Sequence, residues 1–437
     1  MHIRKNIFIL TGGVILLLCC GAACYAGESK LELGLDDCIE LGFEHNPEIL
    51  KAKQEIKKSQ SYLMENFANF VPSIHLEYNY IDTSSPQLGT GVASEYFLYA
   101  KSAAGLHVRQ ALFRGGEYYY KYKRAKIDLN KSEEFYMAVR DELIFDIKSA
   151  YYDLLLTENL ILLNIKSKSR MEAYTSKIKR KSQVGDIHKY EILRASIETE
   201  NTGVDIINLE KERLTLEAKL KKLLMVNNSD SISIKGKLAY SDDQIETDYS
   251  LDSAFEQARE ENHKLKVAEL SRGIGKESIS VMSSRYSPAA TVRAGFYETS
   301  DELSINSRYH YDWSLMFNVR VPIFDGCKIA SLVSQSKSEY SKLQLSEEDL
   351  RKDIFCELEE AIADFKKTIE LLKKQKRLAG NAQNALNMAW ILYDRGETVQ
   401  WDIIDAHENY IRAESNLSRF IRDYNILIAK IEYLTGK

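Results

Sequence analysis

Apolar and polar residues alternate along four segments of the chain. From Pro72 to Tyr80, Ile74, Leu76, Tyr78 and Tyr80 alternate with Ser73, His75, Glu77 and Asn79. Leu106 and Val108 alternate with His107 and Arg109, and Ala290, Val292, Ala294 and Phe296 alternate with Thr291, Arg293 and Gly295. The fourth run has Trp313, Leu315, Phe317, Val319, Val321 and Ile323 between Ser314, Asn318 and Arg320, broken only by Met316. A period of two with unlike faces predicts strands at about 71–82, 103–113, 288–299 and 309–324. Two readings fit that pattern: the wall of a membrane barrel with a wet lumen, or a half-buried soluble sheet. Tyr78, Tyr80, Tyr96, Tyr99, Tyr297, Tyr309, Tyr311 and Trp313 lie near the strand ends, where a barrel would carry its aromatic belt.

After each strand pair the pattern changes to helix. No Pro occurs between Pro86 and Pro288 or after Pro322, and no Gly between Gly116 and Gly185. Helices are predicted at about 116–184 and 187–225, and again at about 326–395 and 399–435, turning at Gly185 and Gly396. The longer ones reach about 100 Å at ~1.5 Å per residue. Leu350, Ile354, Leu358, Ala361, Phe365, Ile369 and Leu372 recur in steps of four, four and three. That eleven-residue period suits nearly straight packing rather than a left-handed supercoil. Helices this long must pack side by side as a bundle or cylinder.

The same order of elements occurs twice, and so do residues within it. Asn46 and Pro72 return as Asn262 and Pro288, both displaced by 216 positions (262−46, 288−72). Val108 to Gly115 returns as Val319 to Gly326, and Val184-Gly185-Asp186 as Arg395-Gly396-Glu397, displaced by 211 (319−108, 395−184). The shift falls across the Gly/Ser/Pro-rich stretch from Ser84 to Gly91, where a loop tolerates a length change. The predicted organisation is a signal peptide at 1–26, a first repeat at 27–226, a linker at 227–250 and a second repeat at 251–437. Two strands per repeat, four per chain, cannot close a barrel, whereas three chains would supply twelve.

Composition narrows the class. With a net charge of −5 the chain lacks the basic surplus expected of a nucleic-acid binder, and at 44% hydrophobic it is not a disordered chain. Arg4 and Lys5, the apolar run Ile7 to Leu18 and the small residues Gly21 to Ala26 form an export leader. Cleavage after Ala26 fits it, as does a lipoprotein reading with Cys24 acylated. Past the leader only Cys38, Cys327 and Cys356 remain, an odd set without metal-ligand spacing, read here as small buried apolar residues. The eight histidines are scattered, and HExxH, paired CxxC and GxSxG motifs are missing. Gly273-Ile274-Gly275-Lys276 lacks the spacing of a phosphate loop. The expectation is therefore no enzyme, no cofactor and no metal.

In its doubled strand-strand-helix-helix order, its strand exit Val321-Pro322-Ile323-Phe324-Asp325-Gly326 and its turn segment Tyr393 to Ala406, the chain resembles the TolC-like outer-membrane efflux proteins. The resemblance covers nearly the whole mature length. It implies an α+β membrane protein: a homotrimeric twelve-stranded β-barrel in outer-membrane lipid, continued by a long α-helical coiled-coil barrel through the periplasm. It implies a passive exit duct for a tripartite efflux pump or type I secretion system, docked on a periplasmic adaptor and an inner-membrane pump. The family closes its tunnel near the helix turns, so Asp402 and Asp405 match an acidic ring at the entrance, and Tyr393 and Glu191 match a Tyr-to-acid link between repeats. A basic latch position of the family is Thr398 here. Val184, Gly185, Asp186, Arg395, Gly396 and Glu397 match the adaptor-docking turns. A non-conducting coiled-coil strut across the periplasm is the alternative; a soluble adaptor would show a lipoyl-like β-domain between two helices, and none is visible.

Overall fold

The computed structural model describes residues 31–86, 96–182, 189–227, 232–240, 250–301 and 309–437; the leader and the Val184-Gly185-Asp186 turn lie outside them. The first half contains β1 (Leu31–Leu33), α1 (Leu35–His45), α2 (Pro47–Ala68), β2 (Ser73–Pro86), β3 (Tyr96–Arg114), α3 (Glu117–Ser182) and α4 (Lys189–Leu224). The second contains β4 (Ile232–Ile234), α5 (Leu251–Glu261), α6 (His263–Ser283), β5 (Ala289–Asp301), β6 (Tyr309–Arg320), α7 (Lys328–Asp394) and α8 (Gln400–Thr435).

An asparagine splits the region before each strand pair into two helices. Asn46 and Asn262 both take extended backbone, with ψ of 126° and 116°. The Asn46 side chain accepts from the Glu48 N–H at 2.8 Å while its amide donates to the Leu223 carbonyl of α4 at 3.0 Å. Asn262 does the same with the Leu265 N–H at 3.1 Å and the Leu434 carbonyl of α8 at 2.9 Å. Each asparagine thus caps one helix N-terminus and satisfies an orphan carbonyl at the end of another. A departure concerns the stretch expected to be only a linker: within 227–250, β4 pairs in parallel with β1, from Leu31↔Ile232 to Leu33↔Ile234.

The other four strands form one antiparallel sheet in the order β2-β3-β5-β6. Its register draws two kinds of row across the sheet. Leu76, Leu106, Phe296 and Trp313 align in one row, and Ile74, Val108, Ala294 and Leu315 in the next. On the opposite face His75, His107, Gly295 and Ser314 align, followed by Glu77, Gly105, Tyr297 and Asp312. Trp313, Leu315 and Phe317 are more than 60% exposed, which no solvated sheet face rewards. Tyr297, taken from sequence as a belt residue, stands on the polar face instead. β6 ends at Arg320 rather than near 324, because Pro322 has no N–H to give a ladder.

The chain leaves β3 for α3 through Gly115 and Gly116, both at positive φ. A Cβ on Gly115 would collide with the Ser284 carbonyl and Ser287, so the strand exit needs glycine for both conformation and space. α3 and α7 run 66 and 67 residues. Near the sheet α3 packs on α2 and α6, marked by Ser59–Ser132 and Lys123–Glu277; farther out it packs on α4 and α8, marked by Asn159–Ser418. α7 lies beside α6 and α8. The eleven-residue stripe on α7 is its buried seam: Ile354, Leu358, Ala361, Phe365 and Leu372 are buried with Tyr424 and Ile431 of α8. Of the three cysteines, Cys38 is buried and its thiol is pushed up to about 12 by that burial, while Cys327 and Cys356 are exposed, against expectation.

Candidate functional site

The far ends of the four long helices meet in one cluster. Met171, Tyr174 and Ile178 from α3, Ala195 from α4, Ala389 from α7, and Ile403 and Ile404 from α8 are buried together, with Trp390, Tyr393 and Ala406 against them. α7 reaches this end with a six-residue Schellman closure: the Glu397 N–H donates to the Leu392 carbonyl and the Gly396 N–H to that of Tyr393. Gly396 sits at φ +76° with open space around it, so only its backbone conformation demands glycine. Arg395, Gly396 and Glu397 are exposed at the tip. Their counterparts Val184, Gly185 and Asp186 lie outside the described residues.

Asp402 and Asp405 stand on the exposed face of α8, opposite buried Ile403, Ile404 and His407. The Thr398 hydroxyl donates to Asp402, and Asn409 donates to Asp405 at 3.0 Å. Thr398 therefore works as a local clamp on the first carboxylate, a role that differs from a basic latch. Tyr393 and Glu191 converge on a third residue that the sequence reading missed. Tyr174 has Tyr393 edge-on at 5.6 Å and Trp390 at 5.0 Å. Burial first, and then the Tyr393 phenol and the Glu191 carboxylate, raise the Tyr174 phenol far above its ordinary range.

Other cross-helix links at this end also escaped the sequence reading. Gln400, buried, donates to the Glu191 carbonyl at 2.8 Å. The Arg194 guanidinium lies 3.7 Å over the Trp401 ring, and Lys177 pairs with Asp394. Each joins α3 or α4 to α7 or α8, between residues about two hundred positions apart. A polar residue at a buried helical position is the local signal for Gln400, Ser167 and His407; the exposed Lys177 and Asp394 carry none.

His407 is 1% exposed, with Nε2 at 2.6 Å from Ser167 Oγ and Nδ1 without a hydrogen-bond partner among the described residues. Desolvation, and then Arg170, lower its pKa to about 4. Protonation would bury a charged N–H with no acceptor. The folded value lies below the unfolded one, so between pH 6.5 and 4 the unfolded chain binds the extra proton. The stability present above 6.5 is lost as pH falls through that window, by roughly 3 kcal/mol at most. Comparing melting temperatures from pH 7 to 4 checks this: wild type should lose several degrees more than His407→Gln. Parallel curves would remove His407 from the acid response.

The turn cluster, the two-faced sheet and the paired long helices correspond to one known architecture. The sequence matches the family described as outer membrane efflux protein over residues 39–224 and 254–437. This chain belongs to that family. Outer membrane protein TolC of Vibrio cholerae is 20% identical over 401 residues, covering 90% of this chain and 88% of the relative. Among solved structures, CusC superposes with a TM-score of 0.80 at 15% identity, covering 95% of each chain. The CmeC outer membrane channel of Campylobacter jejuni gives 0.79 at 15% identity, covering 99% of this chain and 94% of its own. As an outer membrane efflux protein the chain belongs at the outer membrane, in a family of TolC-like channels rather than enzymes. Among its described residues no helix is long and apolar enough to cross a membrane.

Proposed function

We propose that this protein is the exit duct of a tripartite efflux pump or type I secretion system: a homotrimer built from two tandem repeats, with twelve strands in the outer membrane and a helical tunnel in the periplasm. The observation that carries the reading is the open four-stranded sheet. One face is apolar and exposed, the other polar, and β2 and β6 form its outer edges. Both mismatches vanish if β6 of one copy pairs with β2 of the next, closing a ring with lipid outside and water inside. Three copies give twelve strands, and a closed sheet satisfies every backbone group in hydrocarbon. The non-conducting strut gives no use to the polar face.

The helix turns form the periplasmic entrance. Threefold symmetry puts six carboxylates, from Asp402 and Asp405, around one opening, where they favour multivalent cations. The turns at Val184-Gly185-Asp186 and Arg395-Gly396-Glu397 are the surface offered to a periplasmic adaptor, which links the duct to an inner-membrane pump. Single-channel recording in a planar bilayer tests the reading. A stable small conductance blocked by a trivalent cation from one side is expected. Asp402→Asn with Asp405→Asn should weaken that block at least about tenfold, since each lost charge removes roughly 1 kcal/mol per unit charge nearby. Absence of any conductance from folded wild type and from variants that loosen the turn would overturn the duct; an unchanged block would remove only the two aspartates.

A further inference from the structure

The pairing of β2 with β3 sets His75 directly opposite His107 on the polar face, with Glu77 on the same face one pleat along. The two imidazoles stack with centroids 5.2 Å apart, and Glu77 Oε2 lies 3.5 Å from His107 Nε2. One ligand atom from each of the three side chains falls within 4.8 Å of the other two. The surroundings hold them in place. The Asn79 amide donates to Glu77 Oε1 at 3.1 Å, and Tyr297 stands edge-on to His107 at 5.1 Å. The Tyr297 ring fills the space over two glycines. A Cβ on Gly105 would come within 2.9 Å of Tyr297 Cδ1 and 3.1 Å of His107 Nε2. Glycine at 105 therefore leaves room for both the histidine and its aromatic support.

We propose that His75, Glu77 and His107 bind a divalent first-row transition-metal ion, of the zinc, nickel or copper(II) class. Two imidazoles and one carboxylate are the donor set these ions prefer, and three ligands from one side leave positions open for water. Metal–nitrogen bonds of ~2.0–2.1 Å need the donor atoms somewhat closer than they stand. Rotations of the exposed His75 and Glu77 side chains, which occur in picoseconds to nanoseconds, supply that movement toward half-buried His107. Calcium and magnesium are poor candidates because they want several oxygen ligands. The site has one carboxylate, and the next polar row on this face holds Arg109 opposite Arg293. The site rests on the β2–β3 register and not on the duct reading; closure into a barrel would only add that the metal faces the lumen.

Calorimetric titration of untagged, detergent-purified protein with zinc chloride decides the matter. One zinc ion per chain is expected at this site, lost in His75→Ala with His107→Ala and weakened at least about tenfold in Glu77→Gln. Calcium chloride should give no heat that these substitutions remove. Copper(II) added to wild type should show electron-paramagnetic hyperfine structure from two imidazole nitrogens, absent from the double variant. If the alanine pair fails to fold, the single variants His75→Gln and His107→Gln carry the test through the same spectrum. Zinc binding unchanged in the histidine variants overturns the proposal. So does zinc binding lost only with Asp402→Asn and Asp405→Asn, which would put the ion at the helical turn.

Discussion

Lysine at two positions of α4, Ile197→Lys with Ile207→Lys, should abolish the proposed trimer while leaving the helical content of the chain intact. α4 has two apolar faces of different kinds. Ala195, Thr199, Thr202, Leu220 and Leu224 are buried against the rest of the chain. Tyr190, Leu193, Ile197, Val204, Ile207 and Leu214 are all more than half exposed. Those six fall on the a and d positions of consecutive heptads, the pattern of a helix that expects a partner along its length. α7 exposes Leu378, Met388 and Ile391 toward the same end of the molecule, so in the proposed trimer adjoining copies would offer matching apolar strips. A lysine in such a seam must be desolvated without a counter-ion, at a cost of several kcal/mol each. With three seams in the proposed trimer, assembly should drop below detection on a native gel. Circular dichroism separates loss of assembly from loss of fold, and Ile197→Leu with Ile207→Leu should assemble normally. A persisting trimer would place the copy-to-copy contact elsewhere.

Much of this architecture is legible in the amino-acid sequence because it is periodic. The alternation at Ile74, Leu76 and Tyr78, and at Trp313, Leu315 and Phe317, marks the sheet faces directly. The α7 seam from Ile354 to Leu372 follows from its eleven-residue spacing. What periodicity cannot carry is long-range pairing. The break at Asn46 is foreshadowed by Pro47, but at Asn262 a histidine follows, and the break rests on a side chain capping one helix while binding the Leu434 carbonyl of another. The β1–β4 pair joins segments two hundred residues apart through strands of three residues, too short to show a period. His75 and His107 read as scattered until the hairpin register sets them face to face. Tyr297 departs from the belt for a related reason: position near a strand end is visible in sequence, but its face depends on parity counted from Phe296. At the turn, the family resemblance picks out the acids Asp402 and Asp405 and the tyrosine Tyr393, whereas Tyr174, to which Tyr393 packs, looks like any apolar residue of a long helix.

In the proposed duct, removing the links between the two halves of the turn together should open it. Lys177→Ala, Arg194→Ala and Gln400→Ala delete one contact each between α3 or α4 and α7 or α8. The magnitudes are unequal. Lys177 and Asp394 are both substantially exposed, so their pairing is screened and contributes well under 1 kcal/mol. The Gln400 amide is buried on the Glu191 carbonyl and contributes about 1 kcal/mol. Arg194 over half-exposed Trp401 adds about 0.5–1 kcal/mol. Together they bias the equilibrium by roughly 2 kcal/mol, about thirtyfold in the ratio of closed to open turns. Single-channel recording should therefore show a triple variant with longer or larger openings, Gln400→Ala and Arg194→Ala each giving part of the effect and Lys177→Ala nearly none at physiological salt. The hydrophobic cluster around Tyr174 is left in place, so the variant keeps its fold and the conductance change reports the turn alone. A triple variant with wild-type openings would mean that these contacts only brace the helices. The closure would then rest on the Tyr174–Trp390–Tyr393 packing, and Tyr174→Ala would be the substitution that opens it.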